Sequence, residues 1–108
     1  MADDVVKEIE NEIRNNKIMI YMKGNPTFPQ CGFSAATIEI FQELEKPFHT
    51  VDVLSEPAKR EAIKRFSNWP TIPQVYINGK FVGGCDIVRE LYATGELQRI
   101  VDAAFADR

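Results

Sequence analysis

Residues Ile18-Met19-Ile20-Tyr21-Met22 are consecutive apolar side chains, and no other feature of the chain restricts its fold more. The run is too short for a buried helix, and in a strand its side chains alternate between two faces, each needing its own cover. It reads as a buried strand, so the chain must supply helices on both sides of the sheet it enters. The flanking sequence offers them. Val6, Ile9 and Ile13 recur at helical spacing, and the Asn15-Asn16 pair closes that stretch. After an intervening loop, Thr37, Ile40, Phe41 and Leu44 mark a second amphipathic helix that Pro47 stops, and Phe48-His49-Thr50-Val51-Asp52-Val53 alternates as a second strand. Strand, helix, strand is a βαβ crossover, which makes the two strands parallel.

The second half is punctuated differently. Ser55 is placed to cap a third helix through Phe66, with Pro57 in its first turn. Asn68-Trp69-Pro70-Thr71-Ile72-Pro73 then breaks all periodicity. Its two prolines forbid helix and remove two backbone donors, so the segment is a loop of fixed course; on composition alone either Pro70 or Pro73 is a candidate for a cis bond. Gln74-Val75-Tyr76-Ile77 and Lys80-Phe81-Val82 flank Asn78-Gly79, the pair that most strongly signals a tight hairpin. Asp86 is placed to cap a helix containing Ile87, Val88, Leu91 and Tyr92; Gly95 interrupts it, and Leu97, Ile100, Val101, Ala104 and Phe105 line a last helix. The order α-β-α-β-α-β-β-α-α predicts one α/β domain over residues 1–108, a four-stranded mixed sheet flanked by helices.

Composition removes several function classes. Of 108 residues, 13 are Lys or Arg and 16 Asp or Glu, a formal net charge of −3, so the chain lacks the basic footprint of a general nucleic-acid binder. No apolar run approaches membrane-spanning length. The opening Met1-Ala2-Asp3-Asp4 is acidic, unlike a signal peptide or an Arg-rich transit peptide, and Asn25-Pro26-Thr27 is no glycosylation acceptor because proline sits in its middle. Two cysteines more than fifty positions apart do not make the disulfide framework of a secreted domain. A reducing, cytoplasmic setting is expected, with an organellar matrix after processing as the alternative.

Cys31 carries the most chemistry. The stretch from Lys23 to Ser34 leaves the buried strand, passes through a loop punctuated by Gly24, Pro26 and Pro29, and enters the second helix, which puts Cys31 at a helix N-terminus. There, free N–H groups and a cation such as Lys23 favour the thiolate over the thiol of an ordinary cysteine, whose pKa is about 8.5. Ser34 stands where a redox pair would have its second thiol, so Cys31-Gly32-Phe33-Ser34 cannot close its own disulfide. Phe33 suits an exposed rim. Gly83-Gly84-Cys85-Asp86 has the makings of an anion site: the glycines let a ligand approach backbone, the following helix presents N–H groups, and Asp86 can accept from an ammonium. Read as structure alone it is a strand-to-helix turn with an N-cap. His49 reads as a surface strand residue, and Cys31, Cys85 and His49 lack the spacing of a zinc site.

Lys23, Cys31-Gly32-Phe33-Ser34, Trp69-Pro70-Thr71-Ile72-Pro73-Gln74 and Gly83-Gly84-Cys85-Asp86 stand in the order and spacing of the monothiol glutaredoxins of the CGFS type, and the resemblance covers essentially the whole chain. It implies the thioredoxin-like fold and a glutathione site. In that site Lys23 meets a carboxylate, Arg60 holds the glycyl carboxylate, and Cys31, with Gly32 and Phe33 beside it, faces the glutathione sulfur. Ile72, ahead of a cis Pro73, pairs with the cysteinyl backbone, and Gly84, Cys85 and Asp86 take the γ-glutamyl end. The plain alternative for Arg60 is a solvated helix face shared with Lys59, Lys64 and Arg65. The resemblance further implies that Cys31 is a metal ligand. A 2Fe-2S cluster takes four sulfur ligands; two subunits would give Cys31 each, and two glutathiones the rest. The protein would then be a homodimer when loaded and a monomer when apo, passing clusters to apo iron–sulfur recipients and pairing with BolA-like proteins. Two other roles stay open: a glutathione-dependent thiol–disulfide oxidoreductase with Cys31 as catalytic nucleophile, at most weak in this type, and a redox sensor that closes a Cys31–Cys85 disulfide.

Overall fold

The computed structural model describes residues 2–106, with side chains from Asp4 onward. The apolar run forms β1 (Ile18–Met22), all of it buried, and it lies inside a four-stranded sheet. β2 (His49–Asp52) pairs with it in parallel, Met19 opposite His49 and Met22 opposite Asp52. On the other side β3 (Gln74–Ile77) runs antiparallel, Ile18 opposite Ile77 and Tyr21 opposite Gln74, and β4 (Lys80–Gly83) completes the order β2-β1-β3-β4. Asn78 and Gly79 both have positive φ, 53° and 81°, as the two-residue hairpin turn requires. Val75 faces Gly83 and Tyr76 faces Phe81, so Val82 is the extra residue of a bulge beside the Gly83-Gly84 turn.

Alternation along β1 divides the core in two. Ile18, Ile20 and Met22 pack with Ile38 and Phe41 of α2 (Gly32–Glu43), Val88 of α4 (Cys85–Thr94), and Leu97 and Val101 of α5 (Glu96–Ala106). Met19 and Tyr21 face the opposite way, onto Ile9 and Ile13 of α1 (Ala2–Asn15) and Ala62 and Ile63 of α3 (Pro57–Ser67). Each such buried aliphatic or aromatic side chain contributes roughly 1.5–3 kcal/mol, which is why a run with no polar face tolerates no other place in the fold.

Three local expectations change. The position preceding α3 is Glu56, not Ser55; the Ser55 hydroxyl instead donates to Asp52 Oδ2 at 3.0 Å. Asp86 does not cap α4 either, because Gly84 does and Asp86 lies in the first turn. Lys59 is not on a solvated face: it is 5% exposed and bonds Glu12 at 2.7 Å, Glu8 at 2.9 Å and Glu56 at 3.3 Å. Burial disfavours its charge, yet these carboxylates hold its ammonium well above the usual lysine range. Glu12 also accepts the Tyr21 hydroxyl at 2.7 Å, which ties α1 and α3 to β1. Among the described residues no helix is long and apolar enough to cross a membrane.

Candidate functional site

Four segments meet over the end of the sheet where β1 stops, and they enclose a cleft of about 560 Å³. The first is the Lys23–Cys31 loop. Gly24, at φ 87°, bridges to Pro29, and a Cβ there would lie 2.5 Å from the Phe28 oxygen, so the tight return is possible only with glycine. Asp52, at the end of β2, anchors this loop by accepting the Gly24 N–H at 2.9 Å. Its burial works against ionisation, but the N–H groups of Gly24 and Leu54 and the Ser55 hydroxyl prevail and hold its carboxyl below the usual range. Asn25 Oδ1 accepts the N–H groups of Thr27 and Phe28, at 3.0 and 2.9 Å, closing the loop tip.

The loop delivers Cys31 to the N-cap position of α2 in an extended conformation, φ −157° and ψ 137°. From an N-cap a side chain faces the free N–H groups of the second and third helical residues, here Phe33 and Ser34. The Cys31 thiol ionises below the ordinary cysteine value. The Ser34 N–H close to the sulfur is the largest cause, although the Cys31 side chain closes no cap hydrogen bond; partial burial opposes it, and the Phe33 N–H, the Lys23 charge and the Ser34 hydroxyl add to the lowering. Ser34 is fully buried, and its oxygen accepts the Lys23 N–H at 3.1 Å. The place of a second thiol is therefore filled by a hydroxyl that joins the end of β1 to the start of α2. Phe28 and Phe33 stand exposed on either side of Cys31, 68% and 58%.

The second wall is α3, which turns Arg60 and Lys64 toward the cleft. They are four residues apart, hence on one helical face, a signal available in the sequence for Lys64 that singling out Arg60 passed over. The third wall is the loop from Asn68 to Pro73. It begins with Asn68 in the left-handed region, φ 56°, and its Ile72–Pro73 bond is cis, as the resemblance implied. The fourth is the Gly83–Ile87 turn. Gly84 packs so closely on the third wall that an added Cβ would sit 3.2 Å from the Pro73 oxygen and 3.5 Å from Trp69 Nε1. The N-terminus of α4 opens into the same space, with Asp86 exposed beside it.

Of the residues singled out from sequence, Lys23, Cys31, Phe33, Arg60, Ile72, Pro73, Gly84, Cys85 and Asp86 all line this one cleft; Gly32 does not and lies on the exposed first turn of α2. Trp69, Pro70, Thr71 and Ile87 complete the lining. His49 is exposed on β2 and takes no part. Among the described residues no group of three or more His, Cys, Asp or Glu is placed to hold a metal. The cleft therefore offers one half-exposed nucleophilic sulfur, with Lys23, Arg60 and Lys64 as cations and Asp86 at the opposite corner.

Comparison with known proteins agrees with this geometry. The family model described as glutaredoxin matches residues 18–82. A ycf64-like monothiol glutaredoxin of Synechocystis sp. is 49% identical over 98% of this chain and 99% of its own length. Among solved structures, reduced poplar apo GrxS14 is 41% identical and superposes with a TM-score of 0.84 over 95% of this chain and 94% of that one. The crystal structure of a buckwheat glutaredoxin–glutathione complex, 23% identical, shares the thioredoxin-like fold, with a TM-score of 0.86 over 97% of this chain and 94% of that one.

Proposed function

This chain belongs to the glutaredoxin family, in its monothiol branch, and from that premise we propose that it binds glutathione in the Cys31 cleft and carries a labile 2Fe-2S cluster between proteins. The observation that carries the reading is the single half-exposed Cys31 sulfur at the N-cap of α2, in a cleft with cations along one side and an acid plus a helix N-terminus at the other. That polarity suits glutathione, which has a carboxylate at each end and an ammonium at one. Lys23, Arg60 and Lys64 take the glycyl carboxylate; the N–H groups of Cys85 and Asp86 take the γ-glutamyl carboxylate while the Asp86 side chain accepts its ammonium. Ile72 pairs its backbone with the cysteinyl residue as a short added strand. The buckwheat protein was solved as a complex with glutathione, which supports the same ligand here.

The cluster is cargo. One accessible thiolate per chain fits a centre shared by two protomers and two glutathiones, since a 2Fe-2S cluster takes four sulfur ligands. What this chain contributes is a thiol that ionises more readily than an ordinary cysteine, a seat for the second sulfur donor, and apolar Phe28 and Phe33 flanking Cys31 where a second protomer would approach. The loaded form is then a homodimer and the apo form a monomer, with BolA-like proteins and apo iron–sulfur proteins as partners and the cytoplasm as the expected compartment. Anaerobic reconstitution with iron, sulfide and glutathione should give visible charge-transfer absorption and a dimer, both lost in Cys31→Ser. Equal colour without glutathione would refute the ligand scheme. The lowered Cys31 pKa also favours a second reading, glutathione-dependent thiol–disulfide exchange, in which Cys31 attacks a glutathionyl sulfur; brisk release of glutathione from a mixed disulfide would promote it over cluster transfer.

A further inference from the structure

We propose that Gln74, which touches no ligand, is the positioning residue that sets the cleft's third wall for glutathione, and that the Tyr76 hydroxyl supports it by satisfying the buried oxygen of its amide. The inference rests on the reading that the cysteinyl part of glutathione pairs with Ile72.

Gln74 opens β3, and its side chain is fully buried. A buried primary amide must find partners for two donors and an acceptor. Both hydrogens of Nε2 go to the wall itself, to the Trp69 oxygen at 2.9 Å and the Thr71 oxygen at 3.2 Å. Oε1 accepts the Tyr76 hydroxyl at 3.2 Å. Burial pushes the Tyr76 phenol up to about 12, so it remains a donor throughout the range in which the protein would work. Turning the amide over would set Oε1 against two carbonyl oxygens, so those carbonyls fix its orientation, and the Tyr76 hydroxyl satisfies the buried Oε1 that this orientation leaves facing it.

Packing also holds the segment, through Ile72 in the core and Trp69 against Phe81, but among the described residues its other hydrogen bonds are few. Pro70 and Pro73 have no N–H to give, and the start of the loop is tied through the Trp69 N–H, to the Lys64 oxygen at 3.1 Å and Ser67 Oγ at 3.1 Å. The β1–β3 ladder begins only at Tyr21 and Gln74, and among the described residues the Ile72 amide enters no backbone hydrogen bond. Ile72 thus lies one residue beyond a carbonyl that Gln74 grips and two residues before Gln74 itself. An edge offered to a ligand as an added strand must be pre-set, because ordering it on binding subtracts from affinity. The Gln74 amide adds to the packing of Ile72 and Trp69 the hydrogen bonds that fix the backbone course of this edge.

The test compares Gln74→Met, nearly isosteric but without donors, and Tyr76→Phe with the parent protein, titrating reduced glutathione calorimetrically at low and high salt. With about 1 kcal/mol per hydrogen bond, Gln74→Met should bind glutathione about ten-fold more weakly and Tyr76→Phe about two- to three-fold more weakly. Lys23, Arg60 and Asp86 are untouched, so the salt dependence of binding and the rate of Cys31 alkylation by iodoacetamide should match the parent; a general loosening of the cleft would change both and would overturn the positioning role. Should Gln74→Met fail to fold, Tyr76→Phe decides alone, and parental affinity in it overturns the inference. Absence of glutathione binding in the parent protein would instead sink the underlying reading, an outcome distinct from tight binding by all three proteins.

Discussion

Cys31 and Cys85 both sit at the start of a helix, both line the same cleft, and both are free, yet only Cys31 reaches solvent, Cys85 being 6% exposed. The difference is one position in the helix. Cys31 is the N-cap of α2, upstream of the free N–H groups, so the N–H groups of Ser34 and Phe33 favour its ionisation even though no cap hydrogen bond is closed. Cys85 is the first residue inside α4, where its own N–H is one of the free donors and its sulfur is past the place from which a cap side chain accepts. One helix start therefore presents a nucleophile and the other presents N–H groups. In the proposed glutathione site the two starts serve different parts of the ligand, the Cys31 sulfur its central cysteine and the α4 N–H groups its γ-glutamyl carboxylate.

The largest expected effect is removal of the exposed sulfur. Native protein treated with iodoacetamide should take one label, at Cys31, and Cys31→Ser should take none until unfolded; label on native Cys85 at a comparable rate would abolish the contrast. The rate should rise with pH along a curve whose midpoint lies below that of a free cysteine. Because the folded thiol ionises at lower pH than the unfolded one, the stability it adds is full above the unfolded pKa and is lost as pH falls through the folded one. Cys31→Ser should remove that pH-dependent increment, measurable as a flatter dependence of the denaturant midpoint on pH.

Next in size is the backbone that delivers each cysteine. Gly24→Ala forces a Cβ to within 2.5 Å of backbone oxygen at a positive φ and should cost more than about 3 kcal/mol in denaturant unfolding. Gly83→Ala is also strained, at φ 149°, and its Cβ would lie 2.9 Å from both the Cβ and the Cδ1 of Ile87; turning the side chain relieves only the second contact, so α4 must shift and the cost should be about 2 kcal/mol or more, below that of Gly24→Ala because no backbone atom is struck. Equal losses would mean that the two turns are equally rigid. Ser34→Ala comes after these. It leaves the Lys23 N–H without its acceptor, a loss of about 1–2 kcal/mol, and it should move the alkylation midpoint upward, since a hydroxyl beside the thiolate is gone while the Ser34 N–H remains. An unmoved midpoint would show that the backbone alone supports the thiolate.

How much of this the sequence discloses depends on whether a residue's role is local. The β1 run, the Asn78-Gly79 hairpin and the helix N-terminus at Cys31 follow from periodicity and turn chemistry, and the structure has all three. The cleft's membership followed from the resemblance, since no spacing rule brings Lys23, Ile72 and Asp86 together. What stayed hidden are side chains whose partners are distant in the chain. Lys59 looks like its neighbours Arg60, Lys64 and Arg65 until α1 is packed against it, and only then do Glu8 and Glu12 arrive. Ser34 reads as a missing cysteine, whereas its partner is the Lys23 backbone eleven residues earlier. For Gln74 there was a visible anomaly, a polar residue opening an otherwise apolar strand. For the caps, Ser55 and Asp86 are good cap residues by type, but the strand ends on Asp52, which takes the Ser55 hydroxyl, and the two glycines before Cys85 start α4 earlier.

The smallest expected effect is the most discriminating for function. Cys85→Ala removes one buried sulfur and should cost about 1 kcal/mol of stability, leaving glutathione affinity within about two-fold, because the proposed donor at this position is the backbone N–H and alanine keeps it. The same variant separates two fates of oxidised protein. With glutathione disulfide, exchange at Cys31 forms the protein–glutathione bond and releases one glutathione, so both the parent and Cys85→Ala should gain the mass of a single glutathionyl group. If the parent instead loses two hydrogens and only Cys85→Ala retains the adduct, the buried sulfur has displaced glutathione to form a Cys31–Cys85 disulfide. The N-terminus of α4 would then have surrendered its cysteine to the cleft, the contrast between an exposed nucleophile and a buried neighbour would be a property of the reduced state alone, and the sensor reading would replace the carrier.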